Sequence, residues 1–491
     1  MSSNLIGGNM FSLVQIIYTA NLIITIITTL AIILSNRDSS TSLLWIALIY
    51  AVPVFGLLIF ILLGIDWQKH KLLKYSPESA LNYYRHAYDE ANTNFLKELE
   101  QKDPDVANDI KKLIRLIERG SHSSLTYAET YRLFYRGEDF FSTLFDDLRS
   151  ARKQIHMDFF IWKSDILGRE IKDILIQKAA EGVEIRLIFD GYGSFKRISR
   201  QYRKELRKAG IDYRYFLDLR DPMSRHKINY NNHKKIITID GTIGYLGGMN
   251  VGQEYIDGGR RFDCWRDTQM RLTGGCIALL DSVFLADWAN CTKGEILYPD
   301  PPPQVKERGP YPLQIAVSGP DSDWFSVKLA YLSLIANANN EVLIQSPYFV
   351  PDSSMVDALV TAALSGTDVR FMITGVPDKL VAWWAAHTYL EKIVKAGARV
   401  YFYEKGFLHS KVFIVDDHLS SVGTCNMDIR SFHLHYEINA MLYSDKITTD
   451  LRDQFFRDVE ECRELTLKDF ESLGFFKRFR NSLSRLASPF M

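Results

Sequence analysis

Residues 233–240 read His-Lys-Lys-Ile-Ile-Thr-Ile-Asp, and residues 409–416 read His-Ser-Lys-Val-Phe-Ile-Val-Asp. Both stretches follow the spacing His-x-Lys-x-x-x-x-Asp, and each is followed by a Gly-x-x-Asn turn, Gly247–Asn250 or Gly423–Asn426. A single match to so short a pattern carries a real risk of coincidence. Two matches with the same turn indicate a duplication, so we expect one active site built from two half-sites.

Each stretch predicts a buried strand that ends in a turn, because the residues after the histidine are mainly β-branched or apolar. Residues two apart on a strand share a face, so each histidine points the same way as the lysine that follows it. A second apolar run returns as the neighbouring strand and ends at the asparagine. The two resulting sets are His233, Lys235 and Asn250, and His409, Lys411 and Asn426.

An imidazole, an ammonium group and a carboxamide at one end of a sheet suit a phosphodiester substrate. Lys and Asn donate hydrogen bonds to the non-bridging oxygens and stabilise a five-coordinate transition state. One histidine can attack phosphorus while the other protonates the leaving alkoxide. Asp240 and Asp416 complete the candidate catalytic set as groups that anchor the lysine or the turn, and not as nucleophiles. Metal ligation is an alternative for His and Asp, but a lysine beside each histidine opposes a cation. We therefore expect neither a metal nor another cofactor.

The duplicated pattern resembles that of the phospholipase D superfamily, and the rest of the chain, from about residue 130 onward, is similar to bacterial cardiolipin synthases within it. The supporting segments are Ile155–Trp162, Phe189–Gly193, Asn250–Tyr255, Trp265–Asp267, Gln345–Pro351 and Arg430–Asn439. The last segment departs from the usual pattern at His433 and His435. The resemblance implies that an acidic residue orients each catalytic imidazole, and Asp267 and Glu437 occupy the expected stretches.

The duplication extends upstream of the motifs. Residues 182–191 match 366–375, and residues 208–216 match 395–403; in both copies helical patterns alternate with β-branched strands. This alternation predicts an α/β fold with a mostly parallel sheet. With the resemblance, it implies two phospholipase D-like repeats forming one domain of mixed β-sheets flanked by helices. We expect the first half over residues 128–300 and the second over 301–470.

The first half carries a longer approach to its motif, the loop Leu217–Asn232. The loop contains Arg220, Arg225, His226 and Lys227. Two interpretations remain open: the loop lines the mouth of the site and contacts lipid headgroups, or it is a solvated surface loop.

Two uncharged stretches follow the N-terminal tail (residues 1–10), and each is long enough to cross a bilayer as a helix. They are Phe11–Leu34 and Leu43–Gly64, and Pro53 is tolerated in the second as a kink. A cleaved signal peptide is disfavoured because no basic residue precedes the first stretch. We therefore predict two transmembrane helices, preceding the α/β region.

The basic residues beside these stretches predict an orientation. Only Arg37 lies between them, whereas Lys69, Lys71 and Lys74 follow the second. The positive-inside rule then places both termini and the catalytic region in the cytoplasm of a multi-pass protein of the cell (plasma) membrane. Five cysteines without framework spacing fit a reducing compartment.

The remaining segments carry no catalytic pattern. Residues 65–127 predict a charged, helical juxtamembrane spacer. Residues 471–491 predict a basic amphipathic helix, with Phe476, Phe479, Leu483 and Leu486 at helical spacing. Such a helix is attracted to anionic lipid, and the alternative is a helix docked on the protein core.

The expected function is that of a cardiolipin synthase: reversible phosphatidyl transfer between two phosphatidylglycerol molecules, giving cardiolipin and glycerol through a phosphatidyl-histidine. Family analogy favours His233 as the nucleophile and His409 as the acid and base, although the two patterns are symmetric. A membrane phospholipase D that uses water and a non-enzymatic lipid-binding scaffold are the alternatives. A zero formal charge and the lack of a basic stripe argue against nucleic acid. The partners expected are phosphatidylglycerol and other anionic lipids, and the sequence predicts no oligomeric state.

Overall fold

The computed structural model describes residues 3–35, 39–64, 71–84, 89–221, 227, 229–296, 298 and 308–488. The chain packs as two compact units. The first comprises Met1–Leu72 and Leu219–Asn229, and the second comprises Leu73–Asp218 and Tyr230–Met491. Both motifs lie in the second unit, which we call the catalytic unit.

The N-terminal unit contains the helices Ser3–Leu34, Ser39–Ala51 and Pro53–Leu63. The predicted span Leu43–Gly64 is therefore divided between two helices at Val52, because the next residue is a proline that occupies a first helical turn and has no N–H to continue the preceding helix. Within the described residues, no helix combines the length and the apolar character needed to cross a membrane. The prediction of two transmembrane helices is thus not confirmed. Arg37 and Lys69, used for the orientation, lie outside the described residues.

Three helices occupy most of the segment predicted as a spacer: Pro77–Asn82, Asp89–Lys102 and Pro104–Gly120. Asp103 caps the third, where its side chain accepts hydrogen bonds from the N–H groups of Asp105 and Val106. The apolar face of this helix, including Ile110 and Ile117, is buried in the core of the second half. The segment is therefore part of the catalytic unit's core and not a free spacer.

The first half of the catalytic unit is built on a seven-stranded sheet with the order β2-β10-β8-β7-β3-β4-β5. Its strands are β2 (Thr130–Phe134), β3 (Gln154–Phe159), β4 (Glu184–Asp190), β5 (Asp212–Phe216), β7 (Lys235–Ile239), β8 (Ile243–Gly247) and β10 (Gln269–Thr273). Strands β3, β4 and β5 are parallel, whereas β7 runs antiparallel to β3 and β8.

The second half is built on a ten-stranded sheet with the order β1-β11-β20-β18-β17-β12-β14-β15-β21, and β6 also pairs with β20. Its strands are β1 (Thr126–Ala128), β6 (Asn231–Asn232), β11 (Tyr311–Ser318), β12 (Glu341–Gln345), β14 (Asp368–Thr374), β15 (Arg399–Tyr403), β17 (Val412–Val415), β18 (Leu419–Gly423), β20 (His435–Leu442) and β21 (Cys462–Leu465). The order β20-β18-β17-β12-β14-β15 repeats the order β10-β8-β7-β3-β4-β5 of the first sheet. The predicted duplicated α/β fold with mixed sheets is confirmed, whereas the expectation of a mostly parallel sheet is wrong. Among the described strands, only β3-β4-β5 in the first sheet and β12-β14-β15 and β6-β20 in the second pair in parallel, because the strand after each motif returns as an antiparallel neighbour.

Two further short strand pairs connect loops near the motifs: β9 (Trp265–Arg266) with β16 (Phe407–Leu408), and β13 (Phe349–Val350) with β19 (Met427–Asp428). The other helices of the catalytic unit are Gly137–Ser150, Ile166–Ala180, Arg200–Lys208, Glu254–Asp257, Cys276–Thr292, Ser326–Ala336, Ser353–Leu364, Leu380–Lys395, Ile429–His433, Asp445–Val459, Leu467–Glu471 and Phe475–Leu486. Asp165 and Asp352 cap corresponding helices of the two halves, which is a local trace of the duplication.

The two sheets share an apolar core. Ile236 and Leu246 of the first sheet belong to the same buried cluster as Ile414 and Ile438 of the second. Alternate residues point to opposite faces of a strand, so Ile237 belongs instead to the core formed with the helices of the first half. This packing joins the two halves in one unit and brings the equivalent ends of their motif strands together.

Candidate active site

His233 is held by a strand of the opposite half. The extra loop of the first half ends in β6, which pairs with His435 and Tyr436 at the start of β20. The His233 N–H then donates to the Tyr436 carbonyl at 2.9 Å. Its Nδ1 lies 3.0 Å from Oε2 of Glu437, a fully buried carboxylate of the second half. Arg225 and His226, predicted to line the mouth of the site, lie outside the described residues.

His409 is held in the reciprocal way. Strand β16 pairs with β9, and the His409 N–H donates to the Arg266 carbonyl at 2.7 Å. Its Nδ1 lies 2.7 Å from Oδ2 of Asp267, which is fully buried and belongs to the first half. The backbone N–H of Thr268 donates to the other oxygen of Asp267 at 2.7 Å and fixes the carboxylate.

The two acidic residues are thus exchanged between the halves, since each carboxylate contacts the imidazole of the other motif. A carboxylate at Nδ1 fixes the tautomer and leaves Nε2 as the ring nitrogen available to a substrate. The two imidazole side chains retain 6% and 10% exposure, so the site is nearly but not fully closed. The carboxylates that the resemblance implied are both present, and only the structure pairs them with their histidines.

Both lysines lie beside the histidine of their own motif. Lys235 Nζ donates to the His233 carbonyl at 2.6 Å, and Lys411 Nζ lies 2.9 Å from His409 Nδ1. Burial lowers the pKa of Lys235 to about 7 and that of Lys411 to about 8. Repulsion from Lys411 further lowers the pKa of Lys235, whereas Glu437 opposes both shifts. The two ammonium groups therefore lose their protons near neutral pH, and a bound phosphate anion would raise both pKa values again.

The imidazoles are neutral in this environment. Burial, followed by the charges of Lys235 and Lys411, holds the pKa of His233 well below its usual value. Burial and Lys411 lower the pKa of His409 to about 4, although Asp267 opposes this shift. The charge of His409 also acts to lower the pKa of His233. A neutral imidazole is the form that can attack phosphorus.

The two asparagines lie at the site but differ in their contacts. Asn250 is buried, its Oδ1 accepts from the Ile161 N–H at 3.0 Å, and its amide donates to the Tyr255 hydroxyl at 3.4 Å. Asn426 is also buried, and within the described residues its Oδ1 has no hydrogen-bond partner. This oxygen can accept a hydrogen bond from a substrate hydroxyl, whereas a phosphate oxygen would be bound by the side-chain NH2 of Asn426.

Asp240 and Asp416 do not reach the site. Each lies at the far end of its strand, seven residues beyond the histidine, which corresponds to roughly 23 Å in an extended strand. Asp240 accepts from the N–H groups of residues 152–154, and Asp416 from those of residues 339–341, at 2.7–3.0 Å. Partial burial raises the pKa of Asp240, but these backbone donors outweigh it and lower the pKa below its usual value. Their inclusion in the catalytic set is corrected. Each anchors the turn before β3 or β12, which was one of the two roles predicted for it, and neither contacts a motif lysine.

Several site residues were missed by the sequence reasoning. Tyr255 Oη lies 3.2 Å from His409 Nδ1 and bridges to Asp267 at 3.5 Å. Thr424 donates to Glu437 Oε2 at 2.5 Å. The Phe160 ring packs edge-on against His233 with 4.9 Å between centroids. All three lie within segments already quoted for the resemblance or the motifs, but nothing in their spacing distinguishes them from core residues.

His435 adds a third imidazole to the site. Its ring centroid lies 5.3 Å from that of His233, and burial lowers its pKa to about 3. Ligand atoms of His233, His435 and Glu437 lie within 4.8 Å of one another, a spacing that a metal ion could bridge. Lys235 and Lys411 add positive charge to the same site, which disfavours a cation. The expectation of metal-free chemistry stays a prediction.

Comparison with known proteins decides the family. A family model described as "Cardiolipin synthase, PLD-like domain" matches residues 144–260 and 331–459, which contain both motifs and cover half of the chain. The chain belongs to the cardiolipin synthase family. The matched stretches fall on the two repeated sheets, so the family's duplicated domain is the structural duplication described above.

Relatives within the cardiolipin synthase family match almost the whole chain. The major cardiolipin synthase of Bacillus subtilis (strain 168) is 36% identical over 485 residues, which cover 98% of this chain and 99% of that protein. The cardiolipin synthase of Geobacillus kaustophilus (strain HTA426) is 37% identical over 472 residues, covering 94% and 91%. The crystal structure of phosphatidylserine synthase from Haemophilus influenzae Rd KW20 covers 77% of this chain and all of that one, with a TM-score of 0.58 and 13% identity. That likeness shows a shared fold.

Proposed function

We propose that this chain is a cardiolipin synthase, a phosphatidyltransferase that converts two phosphatidylglycerol molecules into cardiolipin and glycerol. The observation that carries the proposal is the pair of imidazoles, each oriented by a carboxylate of the opposite half and each with a buried lysine beside it. Relatives named cardiolipin synthase, similar over nearly the full length, support the same activity. The reaction exchanges one phosphodiester for another of similar energy and needs no nucleotide.

In the first step, Nε2 of His233 attacks the phosphorus of phosphatidylglycerol. Lys235, Lys411 and Asn426 stabilise the negative charge of the five-coordinate transition state through hydrogen bonds to the non-bridging oxygens. The bound phosphodiester offsets the lysine charges that lower the pKa of His409, which lets that imidazole carry a proton. His409 gives this proton to the departing glycerol oxygen as its bond to phosphorus breaks.

In the second step, the phosphatidyl group is transferred from His233 to the acceptor. Neutral His409 removes the proton from a glycerol hydroxyl of a second phosphatidylglycerol, and the resulting oxygen attacks phosphorus. The bond between phosphorus and Nε2 breaks and releases cardiolipin, and His409 is protonated as it was before the first transfer. Reversal of the same steps with glycerol as the nucleophile makes the transfer reversible.

We also propose that the uncharged stretches Phe11–Leu34 and Leu43–Gly64 hold the enzyme in the cell membrane, with the catalytic unit on the cytoplasmic side. The lack of any charge in either stretch supports this. Exposed apolar side chains on the described helices, among them Ile27, Leu34 and Phe55, also favour a lipid environment. Extraction of membranes with alkaline carbonate tests the anchoring: the protein should stay in the pellet, and release would contradict it.

The function is tested with purified full-length protein in detergent and phosphatidylglycerol as the sole lipid. Cardiolipin and free glycerol should form in equal amounts. Phosphatidic acid without cardiolipin would instead assign the protein as a phospholipase D, with water as the acceptor. No conversion in wild-type protein that retains its fold would contradict both activities.

A further inference from the structure

Exposed apolar side chains border the edge of the sheets at which the active site opens. Strand β3 ends opposite Lys235, and β11 ends opposite Glu437, so the loops after these strands leave from the active-site edge. The end of β4 lies beside that of β3, and β14 ends beside β12, next to the second motif strand. The loops and helix starts that follow these ends carry exposed apolar residues: Ile166, Tyr192, Trp324, Val376, Leu380 and Val381. We call these six residues the active-site rim.

The C-terminal helix Phe475–Leu486 packs along a helix that starts at this edge. Its partner is the helix Leu380–Lys395, whose first residues belong to the rim. The Arg480 guanidinium lies 4.4 Å from the centroid of Trp384, one turn after Leu380, and the Tyr389 hydroxyl donates to Ser488 at 3.0 Å. Asn481 and Ser484 are buried on the docked face. The partner helix follows β14, whose end lies beside β12 next to the second motif strand.

The undocked face of the C-terminal helix remains apolar and basic. Its large apolar side chains are 55–84% exposed: Phe475, Phe476, Phe479, Leu483 and Leu486. The exposed residues Lys477, Arg478 and Arg485 flank them, and residues 475–488 contain no acidic residue. Apolar side chains beside Lys and Arg, without acidic residues, match the chemistry of an anionic lipid surface. Docking on the core and attraction to lipid were alternatives for this helix in the sequence; the structure docks one face on the core and leaves the apolar, basic face exposed.

We propose that the active-site rim and the outer face of the C-terminal helix form one surface that docks into the headgroup layer of an anionic bilayer. Phospholipid substrates then pass from the membrane to His233 and His409 without exposing their acyl chains to water. The inference rests on the proposed function, because the bilayer that binds this surface is the one that supplies the anionic phospholipid substrate.

Site-specific photo-crosslinking tests the orientation. A benzophenone amino acid is placed in the full-length protein at Leu380 or Leu483, and at Leu364 as a matched control. Leu364 is 72% exposed and precedes β14, at the opposite edge of the sheet. In vesicles of equal parts phosphatidylglycerol and phosphatidylcholine, positions 380 and 483 should crosslink to lipid at least about fivefold more than position 364. Equal yields at the three positions would overturn the proposal.

Kinetics on two physical forms of the substrate provide a second test. The double variant Phe476→Ser/Phe479→Ser loses two apolar anchors, so its KM for long-chain phosphatidylglycerol in mixed micelles should rise about tenfold or more. Its kcat should stay near that of the wild type, and so should its activity on dihexanoyl phosphatidylglycerol, which is monomeric in water. Retained short-chain activity shows that the variant is folded. An unchanged KM in micelles, or an equal loss on both substrates, would count against docking.

A charge variant separates electrostatic attraction from apolar insertion. Lys477→Gln/Arg485→Gln should weaken the apparent affinity for phosphatidylglycerol-containing micelles by about fivefold per charge at low salt. Added salt should remove the difference from the wild type, because exposed charges are screened. A difference that persists at high salt would refute the electrostatic part of the proposal. The crosslinking readout needs no turnover, so failure of wild-type cardiolipin synthesis would reject the proposed function without deciding the docking surface.

Discussion

Among the active-site residues, the two histidines differ mainly in which carboxylate they contact. Glu437 orients His233 and Asp267 orients His409, and each pair joins one half to the other. The repeated pattern alone is symmetric, so it does not say which imidazole attacks. The different partners allow the two roles to be tested separately, one carboxylate at a time.

Single alanine variants test the proposed need for both half-sites. His233→Ala and His409→Ala should each reduce cardiolipin synthesis from phosphatidylglycerol at least about a thousandfold, because nucleophile and proton carrier act as a unit. The measurement is product formation by purified variants whose melting temperatures match the wild type. Substantial turnover by either folded variant would contradict the two-histidine mechanism.

A substrate with a good leaving group distinguishes the nucleophile from the acid. p-Nitrophenol departs without protonation, so a phosphatidyl p-nitrophenol ester should still give a burst of p-nitrophenol with His409→Ala or Asp267→Asn. His233→Ala and Glu437→Gln should lose most of the burst, because they remove the nucleophile or its orienting carboxylate. The opposite pattern would assign the attack to His409. Labelled phosphatidyl group trapped on His233 in the His409→Ala enzyme would establish the intermediate directly.

The lysines set an alkaline limit on activity. The pKa values of Lys235 and Lys411 are lowered to about 7 and about 8, so both ammonium groups are present below this range and are lost as the pH rises through it. Because they bind the substrate phosphate, kcat/KM should fall with rising pH with an apparent pKa in or above this range. Lys235→Arg keeps its charge and should move the decline to higher pH. A kcat/KM that stays constant through the range would contradict this role.

Each motif strand has a different role at each of its two ends. The histidine end forms the site. The aspartate end accepts three backbone hydrogen bonds and so anchors the turn that precedes β3 in the first half and β12 in the second. Asp240 and Asp416 both adopt positive φ, which places the carboxylate back toward those amides. The spacing that both copies share therefore places the histidine and lysine at the site and the aspartate at the turn that it stabilises.

Removing the carboxylate of Asp416 should lower stability more than it lowers catalysis. Asp416→Ala leaves three N–H groups without their acceptor, including the buried one of Glu341, and should cost about 2–3 kcal/mol of unfolding free energy. Chemical denaturation in detergent measures this loss, with the exposed neighbour Asp417→Ala as a control. A thousandfold fall in kcat in folded Asp416→Ala enzyme would show that the aspartate has a direct catalytic role after all.

At the scale of the whole molecule, the two sheets share an apolar cluster, and the segment before the first motif contributes to the separate core of the second half. Ile110 and Ile117 of the helix Pro104–Gly120 are buried with residues of the second half. The short strands β1 and β2, separated by one residue, enter different sheets. The catalytic unit therefore begins at about Leu73, and a boundary at residue 128, where the first half was predicted to start, would remove part of its core.

Two truncations test this boundary. A chain that begins at Leu73 should fold and convert dihexanoyl phosphatidylglycerol, because it retains the helices that cover the second half. A chain that begins at Ser121 loses that cover, exposes the apolar core and should aggregate. Size-exclusion chromatography and short-chain activity compare them. A folded, active chain from Ser121 would show that these helices are dispensable.

The sequence by itself determined the duplication, the alternation of strands and helices, and the identity of the residues at both half-sites. It could do so because these features depend on spacing along a single strand, where His233 and Lys235 necessarily share a face. It also indicated Asp267 and Glu437, through resemblance to a family. The apolar stretches near the N-terminus were equally plain in the sequence, yet the division at Pro53 depended on local backbone geometry.

The tertiary structure alone decided which groups meet. His233 and Glu437 are separated by 204 residues, and His409 and Asp267 by 142, so no local pattern relates them. Packing of the two sheets through their shared apolar cluster brings these positions together. Asp240 and Asp416 stay outside the site because they lie at the far end of the motif strands. Contacts between distant elements also position the C-terminal helix, which packs along the helix Leu380–Lys395 that starts at the active-site rim. Residue spacing fixed the chemistry of each half-site, and the packing of distant elements made them one site.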